Sequence, residues 1–392
     1  MLTDRAPLLL RLTTVPISLR LLLTGQPRYM AAHGLRVLMG SADGPERELV
    51  IAAEDCPHEL IPFTRAITPL QDLRCLMVLV RLMRRERPAI VHTHTPKAGL
   101  LGMLAARIAG VPVRIHTIAG LPFMTATGRR RQLLIAMERL TYAAAQHVWP
   151  NSHSMLSFIR QHRLCPERKL SIIGEGSTNG IDLEVFSPER VTAERIAVVH
   201  RALAYEPGAT YLMAIGRVVR DKGIPELIEA FVRLQKDYPQ LRLVLVGPLE
   251  RERAEETLQD ATLEQITTNP GIHHVTWTDD VAAYLQVADL LVHASHREGF
   301  PNVPLQAGAM HCPIVCSAIP GNVDIVTDNE TGLLFSVGDT RQLEEQLRRA
   351  LNAPERMQQL ARALRTKVEQ KFDRKVIHQL LLKRYRQLLP RE

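Results

Sequence analysis

Short apolar runs alternate along the chain with longer stretches in which apolar residues recur at helical spacing. The short runs predict buried β-strands, and the longer stretches predict amphipathic helices. Strands that alternate with helices build βαβ units around a parallel sheet. The pattern is complete twice, with strands predicted at residues 8–13, 35–39, 90–94, 113–117 and 147–150, and again at 211–215, 241–246, 275–277, 290–293 and 314–316.

The repeat of this pattern predicts two domains of similar size, which a length of 392 residues accommodates. We place the domains at residues 1–185 and 186–374, and we expect the helical segment 375–392 to cross back onto the first domain. The predicted fold class is α/β, with two Rossmann-like, doubly wound domains that face a central cleft. Helices are predicted at 72–86, 98–109, 131–145, 225–235 and 281–288, and almost without a break from residue 340 onward.

The composition is typical of a soluble globular protein. Apolar residues make up 46% and charged residues 23%, and no stretch reaches the roughly 18 uninterrupted apolar residues of a membrane helix. No small-residue cleavage site follows the apolar run at 8–10, so we predict no signal peptide. The five cysteines are scattered, without a disulfide framework or paired metal-ligand spacing, which favours a reducing cytoplasm.

Positive charge is concentrated in the first half of the chain. Residues 1–185 carry 23 Lys and Arg against 14 Asp and Glu, a net charge of +9, and the remainder carries −1. Arginine clusters at 81–87 and 129–131 fit either solvated helix faces or an anionic membrane surface, where each nearby cation contributes roughly 1 kcal/mol. The sequence has no helix-turn-helix, zinc-finger or aromatic-studded basic strand pattern, so nucleic acid is not predicted as a partner.

Three strand-to-helix turns carry candidate chemistry, because ligands of open α/β sheets bind beyond the carboxyl ends of the strands. In the first turn, Gly216 permits a sharp bend after a strand. Arg217 and Lys222 are then placed to bracket a diphosphate. A basic loop without a ligand is the alternative interpretation.

The second turn, Glu298-Gly299-Phe300-Pro301-Asn302, also leads from a strand into a helix. With Asn302 as the N-cap, free backbone N–H groups at the helix start would face an anion or a sugar hydroxyl. Glu298 and Gln306 offer acceptors for sugar and ribose hydroxyls. An ordinary helix cap is the alternative.

In the third turn, Thr95 and Pro96 are predicted as the N-cap and first residue of a helix, and Lys97 is expected at the mouth of the cleft. His92 and His94 precede them on a strand, and we expect one ring to point inward and the other outward. No third ligand accompanies the two histidines, so no metal site is predicted.

Together the turns resemble the family-4 retaining glycosyltransferases of the GT-B fold, over nearly the whole chain. The pairs Gly216-Arg217 and Lys222-Gly223 match that family's donor-diphosphate site, and the stretch from Glu298 matches its glutamate, seven residues, glutamate motif. Bacterial members that build capsular, O-antigen or other lipid-linked glycans are most similar in the segments 13–19, 92–102 and 114–122.

The resemblance implies a nucleotide diphosphate sugar as donor and retention of the anomeric configuration. Arg217 and Lys222 would stabilise the departing diphosphate, and Glu298 would hold the donor sugar. His116 is a catalytic candidate, with a structural strand histidine as the alternative. The other donor-site candidates are Gly216, Gly247, Gly299, Phe300, Pro301, Asn302 and Gln306. The sequence contains no aspartate-x-aspartate pair, so neither an essential metal nor another cofactor is expected.

The chain departs from the family pattern at three places. Gln306 stands at the second glutamate of the motif, which keeps an acceptor and loses the charge. Val15-Pro16-Ile17-Ser18 replaces the usual glycine pair, and Ser18 and Lys97 are the acceptor-site candidates. Many relatives carry a histidine directly before Gly120, where this chain has Ala119.

We therefore predict a retaining transferase that moves a hexose or N-acetylhexosamine from a UDP-linked donor to a polyprenyl-diphosphate-linked sugar, at the inner face of the membrane. Three alternatives stay open, namely a transferase with a soluble acceptor, a nucleotide-sugar epimerase and a non-catalytic nucleotide-sugar-binding partner. An epimerase needs acidic groups around the sugar, and Glu298 is the one convincing candidate. Gln306 and Ala119 suggest the non-catalytic alternative.

Overall fold

The structure, a computed structural model, describes residues 6–124, 126–250 and 257–389. It divides into two compact units. The first comprises the chain up to Asn179 together with the segment from Arg374, and the second comprises Gly180–Asp373. The sequence pattern predicts these divisions after residues 185 and 374.

Twelve strands and sixteen α-helices are assigned over the described residues. The elements up to residue 161 are β1 Leu8–Leu12, α1 Pro16–Leu22, α2 Gln26–Ala32, β2 Arg36–Ser41, α3 Arg47–Glu54, β3 His58–Leu60, α4 Pro69–Glu86, β4 Ile90–Thr93, α5 Pro96–Ile108, β5 Val113–Ile118, α6 Gly128–Ala144, β6 His147–Pro150 and α7 His153–Gln161. The later elements are α8 Ala193–Ala202, β7 Thr210–Ile215, α9 Ile224–Leu234, β8 Leu241–Val246, α10 Asp260–Thr268, β9 Ile272–Val275, α11 Val281–Val287, β10 Leu290–His293, α12 Asn302–Ala309, β11 Ile314–Ser317, α13 Asn322–Ile325, β12 Leu333–Phe335, α14 Thr340–Asn352, α15 Pro354–Phe372 and α16 Arg374–Leu388.

Each unit is built on one six-stranded parallel sheet. The strand orders are β3-β2-β1-β4-β5-β6 in the first unit and β12-β11-β10-β7-β8-β9 in the second. In the first sheet the chain adds β2 and β3 on one side of β1 and then returns to add β4 on the other side. The second sheet changes direction in the same way between β7 and β10. Such a reversal leaves a crevice at the carboxyl ends of the two strands, where doubly wound folds bind ligands. The predicted α/β fold with two Rossmann-like units is confirmed.

Helices cover both faces of each sheet, as buried parallel sheets require. In the first unit, Leu10 packs in a core with Leu79 of α4 and Leu101 of α5. Its neighbour Leu9 points to the opposite face and packs in a core with Leu381 of α16. Helix α16 is therefore part of the first unit, although it follows the whole second unit in the chain.

Two short edge strands escape prediction from the sequence, and a third is predicted out of place. Strands β3 and β12 have three residues each, too few for a recognisable alternation. The bounds predicted for the third, 275–277, are displaced, because β9 runs over Ile272–Val275 in register with β8. Ile272 is the buried residue of this edge strand, whereas Trp277 is about half exposed. Among the described helices, none is long and apolar enough to cross a membrane.

Candidate active site

The loops that follow β7 and β10 meet at the switch point of the second sheet. The two strands pair in parallel, so their carboxyl ends lie at the same edge. The backbone N–H of His296 donates to the carbonyl oxygen of Asp221 at 2.8 Å, which ties the two loops together. The first loop carries Arg217 and Lys222, and the second carries Glu298. The structure thus brings together the side chains that the sequence analysis assigned to the donor diphosphate and sugar.

Two glycines permit this close approach. Gly223 has φ +68°, and a Cβ there would lie 2.1 Å from the carbonyl oxygen of Ala294. Gly247, after β8, has φ +143°, and its Cβ would lie 2.0 Å from the carbonyl oxygen of Gly216. Any other residue at either position would push the loops apart. The donor-site candidates Gly216 and Gly247 therefore lie where the backbones after β7 and β8 touch.

Glu298 is held by partners from both loops. Its carboxylate forms an ion pair with the ammonium of Lys222 and accepts a hydrogen bond from the hydroxyl of Ser295 at 2.8 Å. His293 Nε2 lies 3.4 Å from the same carboxylate. Burial by itself raises the pKa of Glu298. The charges and hydrogen bonds of Lys222 and His293 lower it by more than burial raises it, so this pKa lies well below its usual range. Glu298 is ionised at neutral pH.

Arg217 extends the charged edge along the neighbouring strand end. Its Nη1 lies 2.8 Å from Glu250 Oε2, just beyond β8. Lys222 and Arg217 are each paired with a carboxylate, and both remain partly exposed. Two cations at one sheet edge, each able to exchange a carboxylate for a phosphate oxygen, suit a diphosphate.

Two further ion pairs brace the β10 loop against the β7 loop and α9. Arg297 pairs with Asp221 at 2.7 Å, and His296 pairs with Glu226 at 2.9 Å. The hydrogen bond to Glu226 raises the pKa of His296. Sequence reasoning missed all of these partners, because isolated carboxylates in α9 and its preceding turn carry no motif. The sequence does place Glu226 in the first turn of the helix predicted at 225–235, where an acidic residue stabilises the helix start.

The start of α12 differs by one residue from the prediction. Pro301 is the N-cap, with φ −75° and ψ 136°, and Asn302 is the first helical residue, so the assignment of Asn302 as N-cap is wrong. Pro301 supplies the extended N-cap conformation without a side-chain cap. Phe300 is buried against Phe372, with ring centroids 5.2 Å apart. Gln306 lies one turn into the helix and is half-buried.

Ser317, the last residue of β11, and the segment that follows it contact the Glu298 loop. Ser317 donates its hydroxyl to the carbonyl oxygen of Ser295 at 2.5 Å, and Asn322 donates to the carbonyl oxygen of Ser317 at 2.9 Å. A Cβ at Gly321 would lie 2.5 Å from the carbonyl oxygen of Gly299. These contacts fix the backbone of the donor-site candidates at 299–302.

The candidate site residues of the first unit, His116, Lys97 and Ser18, are buried or half-buried within that unit. His116 is buried in β5, with Nδ1 2.8 Å from the hydroxyl of Thr93, and burial lowers its pKa to about 4. The ammonium of Lys97 is ion-paired with Asp72 at 2.6 Å and only 12% of its side chain is exposed. Ser18 is half-buried in the first turn of α1. Their catalytic and acceptor-binding roles stay predictions.

His92 and His94 lie on the same face of the sheet, and the prediction that they point to opposite faces is wrong. Side chains two positions apart along a strand share a face, because the strand period is two residues. Their ring centroids are 4.1 Å apart and both rings are buried. Among the described residues, no three His, Cys, Asp or Glu side chains are grouped so that they could hold a metal ion.

Comparisons with known proteins agree with this architecture. Residues 199–367 match the model of glycosyl transferases group 1, and residues 25–176 match that of the glycosyl transferase 4-like domain. The capsular polysaccharide biosynthesis glycosyltransferase CapM of Staphylococcus aureus is 31% identical over 369 residues, which cover 94% of each chain.

Two more distant proteins extend the comparison. The UDP-Gal:α-D-GlcNAc-diphosphoundecaprenol α-1,3-galactosyltransferase of Escherichia coli is 27% identical, over 70% of this chain and 69% of its own. The crystal structure of Anabaena HepE in complex with UDP and glucose has a TM-score of 0.80 at 18% identity, over 97% of this chain and 100% of that one. The chain is therefore a glycosyltransferase and belongs to the family-4 glycosyltransferases of the GT-B fold.

Proposed function

We propose that this glycosyltransferase moves a hexose or N-acetylhexosamine from a UDP-sugar to a polyprenyl-diphosphate-linked sugar, with retention, in the synthesis of a bacterial surface polysaccharide. The observation that carries the proposal is the pairing of Lys222 with Glu298 at the carboxyl edge of β7 and β10. Because the chain is a transferase, the epimerase and non-catalytic alternatives are set aside. The remaining alternative is a soluble acceptor.

In the proposed mechanism, the donor diphosphate binds the two cations of the site, Lys222 and Arg217. Its oxygens replace the carboxylates of Glu298 and Glu250 on Lys222 and Arg217, and Glu298 turns to the sugar hydroxyls. The bond between the anomeric carbon and the diphosphate oxygen breaks while the acceptor hydroxyl attacks from the same face. The acceptor proton passes to the leaving diphosphate. Fixed cations stabilise the charge that develops there, so we propose turnover without an essential metal or cofactor.

The lipid-linked acceptor is supported by the relatives and by the charge of the first unit. The Escherichia coli relative is named for a diphosphoundecaprenol acceptor, and the Staphylococcus aureus relative for capsular polysaccharide. Residues 1–179 and 374–392 carry 29 Lys and Arg against 13 Asp and Glu, a net charge of +16, whereas residues 180–373 carry −8. A unit of this charge is attracted to anionic headgroups.

Helix α4 offers the surface for that contact. Along one side of the helix, Leu70, Leu73 and Met77 are exposed by 88%, 56% and 45%. We define the α4 stripe as these three residues together with the exposed arginines that continue the same face, Arg74, Arg81, Arg84 and Arg85. Exposed apolar residues beside arginines are typical of a helix that lies in a membrane interface. We propose that the α4 stripe docks on the inner face of the membrane.

The experiment is incubation of the purified protein with a panel of labelled nucleotide sugars and a bacterial membrane extract. We expect release of UDP and appearance of label in the lipid fraction with one donor, and NMR of the product should show the anomeric configuration of the donor. Label found only in a water-soluble product would contradict the lipid-linked acceptor and would favour a soluble acceptor. An inverted configuration would contradict retention.

A further inference from the structure

Arg11 is a completely buried cation whose hydrogen-bond partners are all neutral, and the buried carboxylate of Glu54 acts on it without forming an ion pair. It lies in β1, beneath helix α16. Its guanidinium donates to the hydroxyl of Tyr385 at 2.9 Å, to Gln26 Oε1, and to His94 Nε2 at 2.9 Å. All three partners are neutral, and among the described residues Arg11 forms no ion pair with a carboxylate. A buried charge of this kind is costly unless something balances it.

The guanidinium fixes where the proton of His94 lies. Arginine can only donate, so Nε2 of His94 accepts. Burial and the charge of Arg11 hold the pKa of His94 well below its usual range, so the ring is neutral and its single proton lies on Nδ1. That N–H is buried and has no partner among the described residues.

A second chain of hydrogen bonds leads from Arg11 to Thr117. The Tyr385 hydroxyl accepts from Arg11, so it donates its own proton to His92 Nδ1 at 2.5 Å. Burial holds the pKa of His92 well below its usual range, and its remaining proton on Nε2 is donated to Thr117 Oγ1 at 2.7 Å. The hydroxyl proton of Thr117 is therefore left for another acceptor.

These donors line one cavity of about 20 Å³ beyond the carboxyl ends of the first sheet. His94 and Thr117 contribute to its wall, and so does Trp149, whose indole Nε1–H is also buried without a partner among the described residues. The volume suits one water-sized atom. A water oxygen accepts two of these three donors and must place its own two protons on other groups of the wall, such as Asn151 or Ser177. A monatomic anion accepts all three donors and adds a negative charge near Arg11.

We propose that this cavity binds one monatomic anion, chloride in the cell, between His94 Nδ1–H, the Thr117 hydroxyl and Trp149 Nε1–H. The site is independent of the proposed transfer reaction. Because Tyr385 and Arg11 belong to the same hydrogen-bond chain, the bound anion stabilises the docking of α16 on the first sheet. Chloride then acts as a structural ligand of the first unit.

Crystals of the full-length protein grown in sodium bromide test the site directly, because bromide has anomalous scattering that water lacks. We expect one anomalous difference peak beside Trp149 Nε1, in contact with His94 and Thr117. A water molecule at this place, without an anomalous peak, would overturn the proposal.

Thermal unfolding tests the site in solution and includes variants. At constant ionic strength, replacing gluconate, which is too large for the cavity, with chloride should raise the unfolding midpoint by about 3–6 °C at tenfold excess over the dissociation constant. Thr117→Val and Trp149→Phe should lose this rise, and Trp277→Phe, which alters the exposed tryptophan of the second unit, should keep it. No chloride effect in the wild type, or an undiminished effect in both cavity variants, would contradict the proposal.

Discussion

The ammonium of Lys222 is ion-paired with the carboxylate of Glu298, across the loops that follow β7 and β10. The family resemblance assigns one of these residues to the donor diphosphate and the other to the donor sugar. In the proposed mechanism this pairing couples the two roles, because a diphosphate that binds Lys222 would release Glu298 toward the sugar.

Glu298→Ala should lower turnover about 10²-fold, because the sugar hydroxyls lose the charged carboxylate to which they would donate, and each such hydrogen bond contributes about 1.5–3 kcal/mol. The measurement is the initial rate of UDP release with the preferred donor. Glu264→Ala, which changes an exposed carboxylate of α10, is the matched control and should keep the wild-type rate. A wild-type rate in Glu298→Ala would refute the site assignment.

Lys222→Ala should destabilise the second unit by about 1–3 kcal/mol, because it leaves the mostly buried Glu298 carboxylate without its cation. The double variant Lys222→Ala/Glu298→Ala should recover part of this stability and remain inactive. Urea unfolding of the four proteins in the cycle gives the coupling free energy. Additive losses would show that the ion pair does not couple the two loops.

The first unit should lose stability as the pH falls below about 6.5. Burial, Arg374 and Arg11 lower the pKa of His378 to about 3, and burial lowers that of His116 to about 4. The unfolded chain therefore binds protons on these histidines at a pH where the folded chain does not, which costs up to about 1.4 kcal/mol per pH unit for each.

His378→Gln tests this dependence, since glutamine retains a donor for Asn179, which His378 contacts at 2.8 Å. Between pH 7 and 5, the variant should lose about 1–2 kcal/mol less stability than the wild type. His162→Gln, at an exposed position, should follow the wild type. Equal acid sensitivity of His378→Gln and the wild type would contradict the assignment.

Replacement of the apolar part of the α4 stripe, Leu70→Ser/Leu73→Ser/Met77→Ser, should reduce binding to vesicles that contain anionic lipid at least tenfold. The lost contact is apolar area in the interface, and the arginines remain. Sedimentation with vesicles measures it. Val198→Ser, at an equally exposed apolar position of the second unit, should bind as the wild type does. Undiminished binding of the triple variant would exclude the α4 stripe as the docking surface.

Chelation should leave turnover within about twofold of its starting value, because the proposed mechanism assigns the positive charge at the diphosphate to Arg217 and Lys222. The measurement is the rate of sugar transfer before and after dialysis against EDTA. Abolished transfer that magnesium restores would show that a metal ion shares this role.

The fold could be predicted from the sequence where buried runs are long, and the site only where a motif marks it. Strand β8 was predicted with its observed bounds because all but one of its residues are buried and apolar. The contact of Lys222 with Glu298 requires β10 to lie beside β7, and strand order is set by packing that the pattern does not contain. Lys97 illustrates the same limit, since its partner Asp72 lies a whole helix away in the chain.

The most direct test of the central claim compares wild type and Glu298→Ala in the transfer of label from the preferred UDP-sugar to polyprenyl-diphosphate-linked sugar in vesicles. The account predicts rapid labelling of the lipid by the wild type and about 10²-fold slower labelling by the variant, which should remain folded at the assay temperature. Equal labelling by both proteins, or no lipid labelling with any UDP-sugar, would contradict it.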